Sequence, residues 1–257
     1  NPGVPCDAEH CIYARGYHDV IRSAVQETLA ECDRMTRVDV ESKAEHYQIC
    51  PFEFSLDLAL WVDCVVCDYN YAFDPTVHLR RFFDEDSGDY SFLVDEAHNL
   101  VDRGREMFSA TLEKDILMTL KRATATSVPQ VAKKLEKVNR AILAILKEGR
   151  QSLEEAGHLV SERAPDKLIK ALAEFCKVAE EWLAENEPTP LHDELLQFYF
   201  DSLRFTRTAE LFDDHFVTLV QPVSYRRKGS VSIRLYCVNP ARLLREGLER
   251  GKSVVLF

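Results

Sequence analysis

The chain has 257 residues, of which 46% are hydrophobic and 29% charged, and its formal net charge is -11 at pH 7. This composition is typical of a globular protein with apolar material for one large or two modest cores, and no stretch approaches the roughly 20 apolar residues of a transmembrane helix. The negative charge excludes a surface that is basic throughout, although it is compatible with a local basic groove for nucleic acid.

The first third of the sequence predicts short helices that lie between cysteines. Apolar residues at helical spacing predict helices over residues 17–31 and 39–47, and a third helix is predicted over residues 51–62. The β-branched run that follows predicts a buried strand over residues 64–67, with Cys64 and Cys67 in the core. A turn over residues 68–71 and a helix that ends near residue 83 complete this part.

Six of the eight cysteines lie within the first 67 residues. Disulfides suit short secreted domains, and this chain is long and has few cysteines after that point. Cys6, Cys11 and Cys50 lie in loop-like sequence beside the predicted helices, where thiolates suit either zinc or an iron-sulfur cluster. His10 would replace one thiolate in a zinc site, so the spacing leaves both metals open.

An apolar strand that ends in an acidic pair is the most informative feature. The run Tyr90-Ser-Phe-Leu-Val precedes Asp95-Glu96-Ala97-His98. This is a Walker B pattern of the DEAH type, in which Asp95 would hold a nucleotide-bound Mg²⁺ and Glu96 would orient the attacking water. The competing interpretation is a helix start, since acidic residues favour helix amino ends. The four apolar residues in front favour the ATPase motif.

No G-x-x-x-x-G-K-[ST] loop for the phosphates of ATP occurs in these residues. We therefore expect a fragment of a motor protein that lacks Walker A and is inactive by itself. A motif of an intracellular ATPase also leads us to expect a cytoplasmic monomer that does not bind membranes.

The rest of the chain is first helical and then returns to strands. Amphipathic stretches cover residues 131–146, 167–183 and 191–211. Further elements are predicted as strands over 215–220 and 231–237, a helix over 240–250, and a buried parallel strand over 253–257. Cys176 and Cys237 are expected in the core. A helical block that interrupts an α/β sheet is typical of an insertion domain.

Four sequence elements occur in the same order as in one helicase family. They are Cys50-Pro-Phe-Glu, Val65-Val-Cys-Asp-Tyr-Asn-Tyr-Ala-Phe-Asp-Pro75, Phe92-Leu-Val-Asp-Glu-Ala-His-Asn-Leu100 and Arg250-Gly-Lys-Ser-Val-Val-Leu-Phe257. The chain thereby resembles the XPD/DinG family of iron-sulfur superfamily 2 DNA helicases, and especially its bacterial members. The resemblance implies a [4Fe-4S] domain and a helical arch, both inserted into the first RecA-like motor domain, and ATP-dependent unwinding with 5′-to-3′ polarity.

The resemblance also implies roles for single residues. Cys6, Cys11 and Cys50 match cluster ligands, and the fourth ligand is either a cysteine upstream of the chain or Cys32. The family's second motor domain is expected to lie outside these residues, and His98 would couple the nucleotide state to it. Residues 109–112 spell the family's motif III, but they follow the acidic pair too closely, and we assign them a structural role.

We accordingly expect an α/β fold with a large all-α insertion. The expected domains are a partial iron-sulfur cluster domain over residues 1–55, part of the first RecA-like motor domain over 56–100, a helical arch over 101–212, and a return to the motor domain over 213–257.

Single-stranded DNA is the expected partner, beside ATP and Mg²⁺. In the family the strand threads between the arch, the cluster domain and the motor domain. We expect Tyr69 or Tyr71 to stack on a base, and some of Arg15, Arg80 and Arg81 to contact phosphates. Other basic runs, such as Lys133-Lys134, are interpreted as solvated surface. The alternative function is a non-enzymatic, metal-stapled module that recognises DNA or protein.

Overall fold

The computed structural model describes residues 9–75, 90–186, 189–223 and 230–257. Within these ranges the chain forms two compact units, of which the first ends at Asp68 and the second begins at Tyr69. The fold is mixed α/β, with a small parallel sheet and a larger antiparallel sheet in the second unit.

Some predicted features lie outside the described residues. They are the candidate ligand Cys6, the candidate DNA contacts Arg80 and Arg81, and most of the helix predicted to end near residue 83. None of the described helices combines the length and apolarity that a bilayer crossing requires.

The described residues of the first unit contain the helices α1 (Tyr17–Glu31), α2 (Arg37–Tyr47) and α3 (Pro51–Ala59). Helix α1 has the predicted bounds, whereas α2 begins two residues early because Thr36 and Asp39 cap it. The carboxylate of Asp39 accepts a hydrogen bond from the main-chain N–H of Thr36 at 2.8 Å, which satisfies a donor at the helix start. The buried core of this unit consists of Ala24, Val25, Ala44, Ile49, Phe54 and Leu58.

Residues 62–68 do not form the predicted buried strand. Val66 is 95% exposed, and the thiols of Cys64 and Cys67 are exposed as well. A strand is stabilised by hydrogen bonds to a neighbouring strand, and none of the described strands pairs with this run. The β-branched residues favour a β-strand, but none of the described strands pairs with them. The prediction that Cys64 and Cys67 lie in the core is therefore wrong.

The elements of the second unit are α4 (Tyr69–Phe73), β1 (Ser91–Val94), α5 (Leu100–Met107), β2 (Ala110–Glu113), α6 (Lys114–Ser127), α7 (Pro129–Glu148), α8 (Arg150–Ala156), β3 (Leu159–Ser161), α9 (Asp166–Glu185), α10 (Pro190–Glu210), β4 (Phe216–Pro222), β5 (Val231–Cys237), α11 (Ala241–Leu248) and β6 (Ser253–Leu256). Helix α4 replaces the turn predicted at its position. The helices and strands predicted after the acidic pair are confirmed to within a few residues at their ends.

Strands β1 and β6 form the parallel sheet, in register from Ser91 opposite Ser253 to Val94 opposite Leu256. The strand before the acidic pair and the parallel direction of the last strand are therefore confirmed. The predicted burial of the last strand is wrong, since Val255 and Leu256 are 51% and 54% exposed. Within the described residues no third strand extends this sheet to cover them.

The antiparallel sheet has the strand order β2-β5-β4-β3 and closes the helical block. Its short strands β2 and β3 were not predicted, because three or four residues are too few for a period of two to be visible. Ser109, just before β2, is buried, and its hydroxyl accepts a hydrogen bond from the main-chain N–H of Cys237 at 3.0 Å. This hydrogen bond is a structural role of the kind that we assigned to residues 109–112.

One large apolar core lies between this sheet and four helices, α6, α7, α9 and α10. Phe175 on α9 and Phe198 on α10 are almost fully buried and meet edge to face, with ring centroids 5.3 Å apart. Cys176 and Cys237 are buried as predicted. Burial raises the pKa of the Cys176 thiol to about 12 and that of Cys237 to about 11, so neither is a thiolate near neutral pH.

Phe198 and Phe200, both on α10, allow a matched test of this core. Phe198→Ala should lower the free energy of unfolding by about 3–5 kcal/mol, because it removes a ring that is 1% exposed and leaves a cavity. Phe200→Ala, on the same helix but 54% exposed, should cost less than about 1 kcal/mol. Urea unfolding of the 257-residue chain, followed by circular dichroism, measures both. Equal losses would contradict the packing described here.

Candidate functional site

The acidic turn, defined here as residues 95–98, lies directly after the carboxyl end of β1. Val94 is 4% exposed and anchors the strand in the core, whereas the side chains of Asp95 and Glu96 are exposed. A parallel strand thus delivers two adjacent carboxylates to the edge of a sheet, as the Walker B pattern predicts.

Two main-chain hydrogen bonds tie the acidic turn to the end of the neighbouring strand. The N–H of Ala97 donates to the carbonyl oxygen of Phe257 at 2.9 Å, and the N–H of Phe257 donates to the carbonyl oxygen of Val94 at 3.1 Å. The ladder between β1 and β6 therefore continues past the strand ends. The position of the two carboxylates depends on this continuation.

The backbone of Glu96 has φ 50° and ψ 42°, in the left-handed region that non-glycine residues rarely occupy. A 3₁₀ turn over Ala97–Asn99 follows, and α5 then begins at Leu100. Neither Glu96 at the 3₁₀ turn nor Asn99 at α5 makes a side-chain capping hydrogen bond. The two carboxylates face solvent and do not cap a helix.

The carboxylate of Glu96 and the imidazole of His98 are neighbours. His98 Nδ1 lies 3.3 Å from Glu96 Oε2, and the two side chains are 73% and 66% exposed. The contact becomes an ion pair when the imidazole is protonated. Three of the predicted site residues, Asp95, Glu96 and His98, are thus together in one turn.

Helix α4 brings a fourth predicted residue to the turn. The hydroxyl of Tyr69 donates a hydrogen bond to the carbonyl oxygen of Asp95 and lies 3.2 Å from that of Glu96. Phe73, at the end of the same helix, is 4% exposed and anchors it in the core. Tyr71 is half-buried, and Arg15 is exposed in the first unit.

An open cleft of about 900 Å³ lies in the first unit and contains two of the predicted metal ligands. Cys11 and Cys50 both line this cysteine cleft, and both are partly exposed free thiols. Cys50 immediately precedes the first residue of α3, Pro51. The other lining residues are largely on α1 and at the end of α3, among them Tyr17, Ile21, Val25 and Trp61.

The donor set of this cleft is compatible with iron or zinc, although it is incomplete. Two thiols are soft donors that suit either metal. Cys32, at the end of α1, is not among the residues that line the cleft. Cys11 and Cys50 would be ligands of a metal centre, and that centre would cross-link this small unit.

One group of possible ligands was not anticipated from the sequence. Asp213, Asp214 and His215 place ligand atoms within 4.8 Å of one another. The carboxylate of Asp213 is occupied, since it forms an ion pair with Arg242 at 3.0 Å and accepts a hydrogen bond from the main-chain N–H of His215 at 2.9 Å. This arrangement stabilises the loop before β4 and does not define a metal centre.

The comparison with known protein families agrees with the Walker B interpretation of the acidic turn. Residues 5–117 match the DEAD_2 family model, which describes a DEAD-like helicase family found in XPD/DinG-type helicases. This part of the chain therefore carries a DEAD_2 domain and indicates a helicase or ATPase family. The match covers less than half of the chain and contains the cysteine cleft, α4 and the acidic turn. No curated protein sequence matches the chain.

Proposed function

We propose that this chain is part of an ATP-dependent DNA helicase with 5′-to-3′ polarity and a [4Fe-4S] cluster. The observation that carries the proposal is the acidic turn at the carboxyl end of a parallel strand, within a region that matches a helicase family. The division into a cluster domain, motor segments and a helical arch belongs to the same proposal.

The roles of the turn follow from its chemistry. A carboxylate at this position binds the Mg²⁺ that bridges the phosphates of ATP, and we assign this role to Asp95. A second carboxylate orients the water that attacks the γ-phosphate, and we assign this role to Glu96. To His98, whose Nδ1 lies 3.3 Å from Glu96 Oε2, we assign the coupling of the nucleotide state to a second motor domain.

The ATPase assignment can be tested on the full-length parent protein. Glu96→Gln should abolish turnover and leave nucleotide binding largely intact, because it removes the carboxylate that orients water but not the Mg²⁺ ligand. Glu113→Gln, an exposed glutamate of β2, serves as the control and should keep wild-type turnover. Phosphate release and binding of a fluorescent nucleotide measure the two effects.

The 257-residue chain alone should neither bind ATP tightly nor hydrolyse it, since its sequence offers no phosphate-binding loop. DNA-stimulated hydrolysis by this chain, or wild-type turnover of Glu96→Gln, would contradict the assignment.

For the metal, we propose an iron-sulfur cluster held by Cys6, Cys11 and Cys50, with a fourth cysteine that is either Cys32 or upstream. Support comes from the two partly exposed thiols that share the cysteine cleft. Through its cysteine ligands, the cluster would cross-link and thereby stabilise a unit whose buried core is small.

The full-length protein, purified without oxygen, should be brown and contain about four irons per chain. Cys50→Ser should lower the iron content, because Cys50 lines the cleft. Cys64→Ser is the matched control, since its thiol is exposed and lies outside the cleft. A colourless protein with one zinc per chain, or equal iron loss in both variants, would exclude this assignment.

For DNA, we propose that Tyr71 stacks on a base and that Arg15, Arg80 or Arg81 contacts phosphates, with Tyr69 as the second aromatic candidate. An acidic protein can bind DNA when its repulsive surface faces away from the strand, since counterion release depends on local contacts. The half-buried ring of Tyr71 offers the kind of partly fixed aromatic face that stacking uses.

Stacking and phosphate contacts differ in their dependence on salt. In the full-length protein, Tyr71→Ala should weaken single-strand binding by about 1–3 kcal/mol with little change in salt dependence. Arg15→Ala should flatten the salt dependence by roughly one counterion, whereas Arg140→Ala, on α7, should not. Titrations with labelled oligonucleotides at several salt concentrations measure both. Unchanged affinity and slope in the first two variants would place the DNA path elsewhere.

The alternative is a metal-stapled module that binds DNA or protein without hydrolysing ATP. The thiols of Cys11 and Cys50 in the cysteine cleft would hold the metal of this module as they would hold the cluster of the helicase. A parent protein that binds metal and DNA but shows no ATP hydrolysis would support this alternative over the helicase.

A further inference from the structure

The hydroxyl of Tyr69 is the one side-chain group of α4 that reaches the backbone of the acidic turn in the described structure. It donates to the carbonyl oxygen of Asp95 and lies 3.2 Å from the carbonyl oxygen of Glu96. These two carbonyls belong to the peptide groups on either side of the Glu96 Cα atom. A single O–H group therefore restrains both peptide planes from which the Glu96 side chain projects.

The restraint matters because Glu96 has an unusual backbone. Its φ of 50° lies in the left-handed region, which costs free energy for a residue with a Cβ atom and persists only where the surroundings hold it. On one side, the N–H of Ala97 is bound to the carbonyl of Phe257 at 2.9 Å. On the other side, Tyr69 supplies the opposing contact, so the turn is held between β6 and α4.

The position of the Tyr69 hydroxyl is itself fixed by packing. The ring of Tyr69 packs against the same apolar cluster that buries Phe73, Val94 and Leu100. Val94 lies on the strand before the acidic turn, Leu100 on the helix after it, and Phe73 on α4. The hydroxyl is thus presented by a rigid support and not by a freely rotating side chain.

We infer that Tyr69 is a positioning residue for the catalytic carboxylate. Its hydroxyl holds the peptide groups around Glu96 in the left-handed conformation that directs this carboxylate toward the water attacking ATP. The inference rests on the proposed ATPase function and adds a residue that acts through Glu96 without contacting the nucleotide. It also links the segment that carries Tyr71 to the site of hydrolysis, because both tyrosines belong to α4.

The test is Tyr69→Phe in the full-length parent protein, which removes one oxygen and keeps the ring. We expect kcat for ATP hydrolysis to fall about fivefold to tenfold, as expected for the loss of one hydrogen bond that orients a catalytic group. The KM for ATP and the affinity for single-stranded DNA should change less than about twofold. Amide hydrogen exchange of a peptide that covers residues 95–99 should become faster.

Tyr236→Phe is the matched control, because it removes a phenolic hydroxyl from β5 and keeps the ring that stacks with Arg234, 4.8 Å from the guanidinium carbon. It should leave kcat and the exchange of residues 95–99 unchanged. Wild-type kcat in Tyr69→Phe, unchanged exchange at the turn, or a loss confined to KM or DNA affinity would overturn the positioning role. Absence of hydrolysis by the wild-type parent would instead refute the proposed function, and the exchange experiment would still decide whether Tyr69 restrains the turn.

Discussion

The pairing of β1 with β6 is the constraint on which the candidate site depends. The two strands are more than 150 residues apart in sequence, yet their ladder runs from Ser91 opposite Ser253 to the hydrogen bond between Ala97 and Phe257. Bringing such distant segments together has a large loop-closure cost, which must be offset by what lies between them. The helical block and the antiparallel sheet form that intervening structure within the same compact unit, so the geometry of the acidic turn depends on residues that lie outside it.

The antiparallel sheet explains how this intervening block returns the chain to β6. Strand β5 pairs with β2 on one side and with β4 on the other, so a strand near residue 110 and strands after residue 215 share one ladder system. The buried hydroxyl of Ser109 bonds to the main chain of Cys237 at 3.0 Å, where the sheet meets the core beneath α11. The strand before the helical block and the strands after it thus belong to one sheet, and α11 then leads directly to β6.

The sequence was sufficient for features whose signal is local. The amphipathic period of α7, α9 and α10 and the apolar run before Asp95 predicted elements that the structure confirms. It was insufficient where an outcome depends on partners remote in sequence. The β-branched run at residues 62–68 had strand propensity but finds no neighbouring strand among the described residues, and β6 has its predicted direction without its predicted burial.

The candidate site shows the same division between local and remote signals. The acidic pair and the loop cysteines could be read from residue type and spacing. The left-handed backbone of Glu96 could not, because glutamate has no preference for that region. The hydroxyl of Tyr69 was equally hidden, since a tyrosine that precedes a turn by more than 20 residues carries no signal of a hydrogen bond to it.

Charge pairing within the helical block limits where an acidic protein of this kind can attract DNA. Lys134 and Lys137 both donate to Glu174, and these hydrogen bonds lower the pKa of the Glu174 carboxyl to about 2. Lys121 is paired with Glu136 in the same way. Basic runs that resemble binding patches in the sequence are thus partly neutralised by carboxylates on neighbouring helices. If the proposed DNA binding holds, electrostatic attraction to the strand would come from cations outside these pairs, and stacking on aromatic rings, which needs no net charge, would add to it.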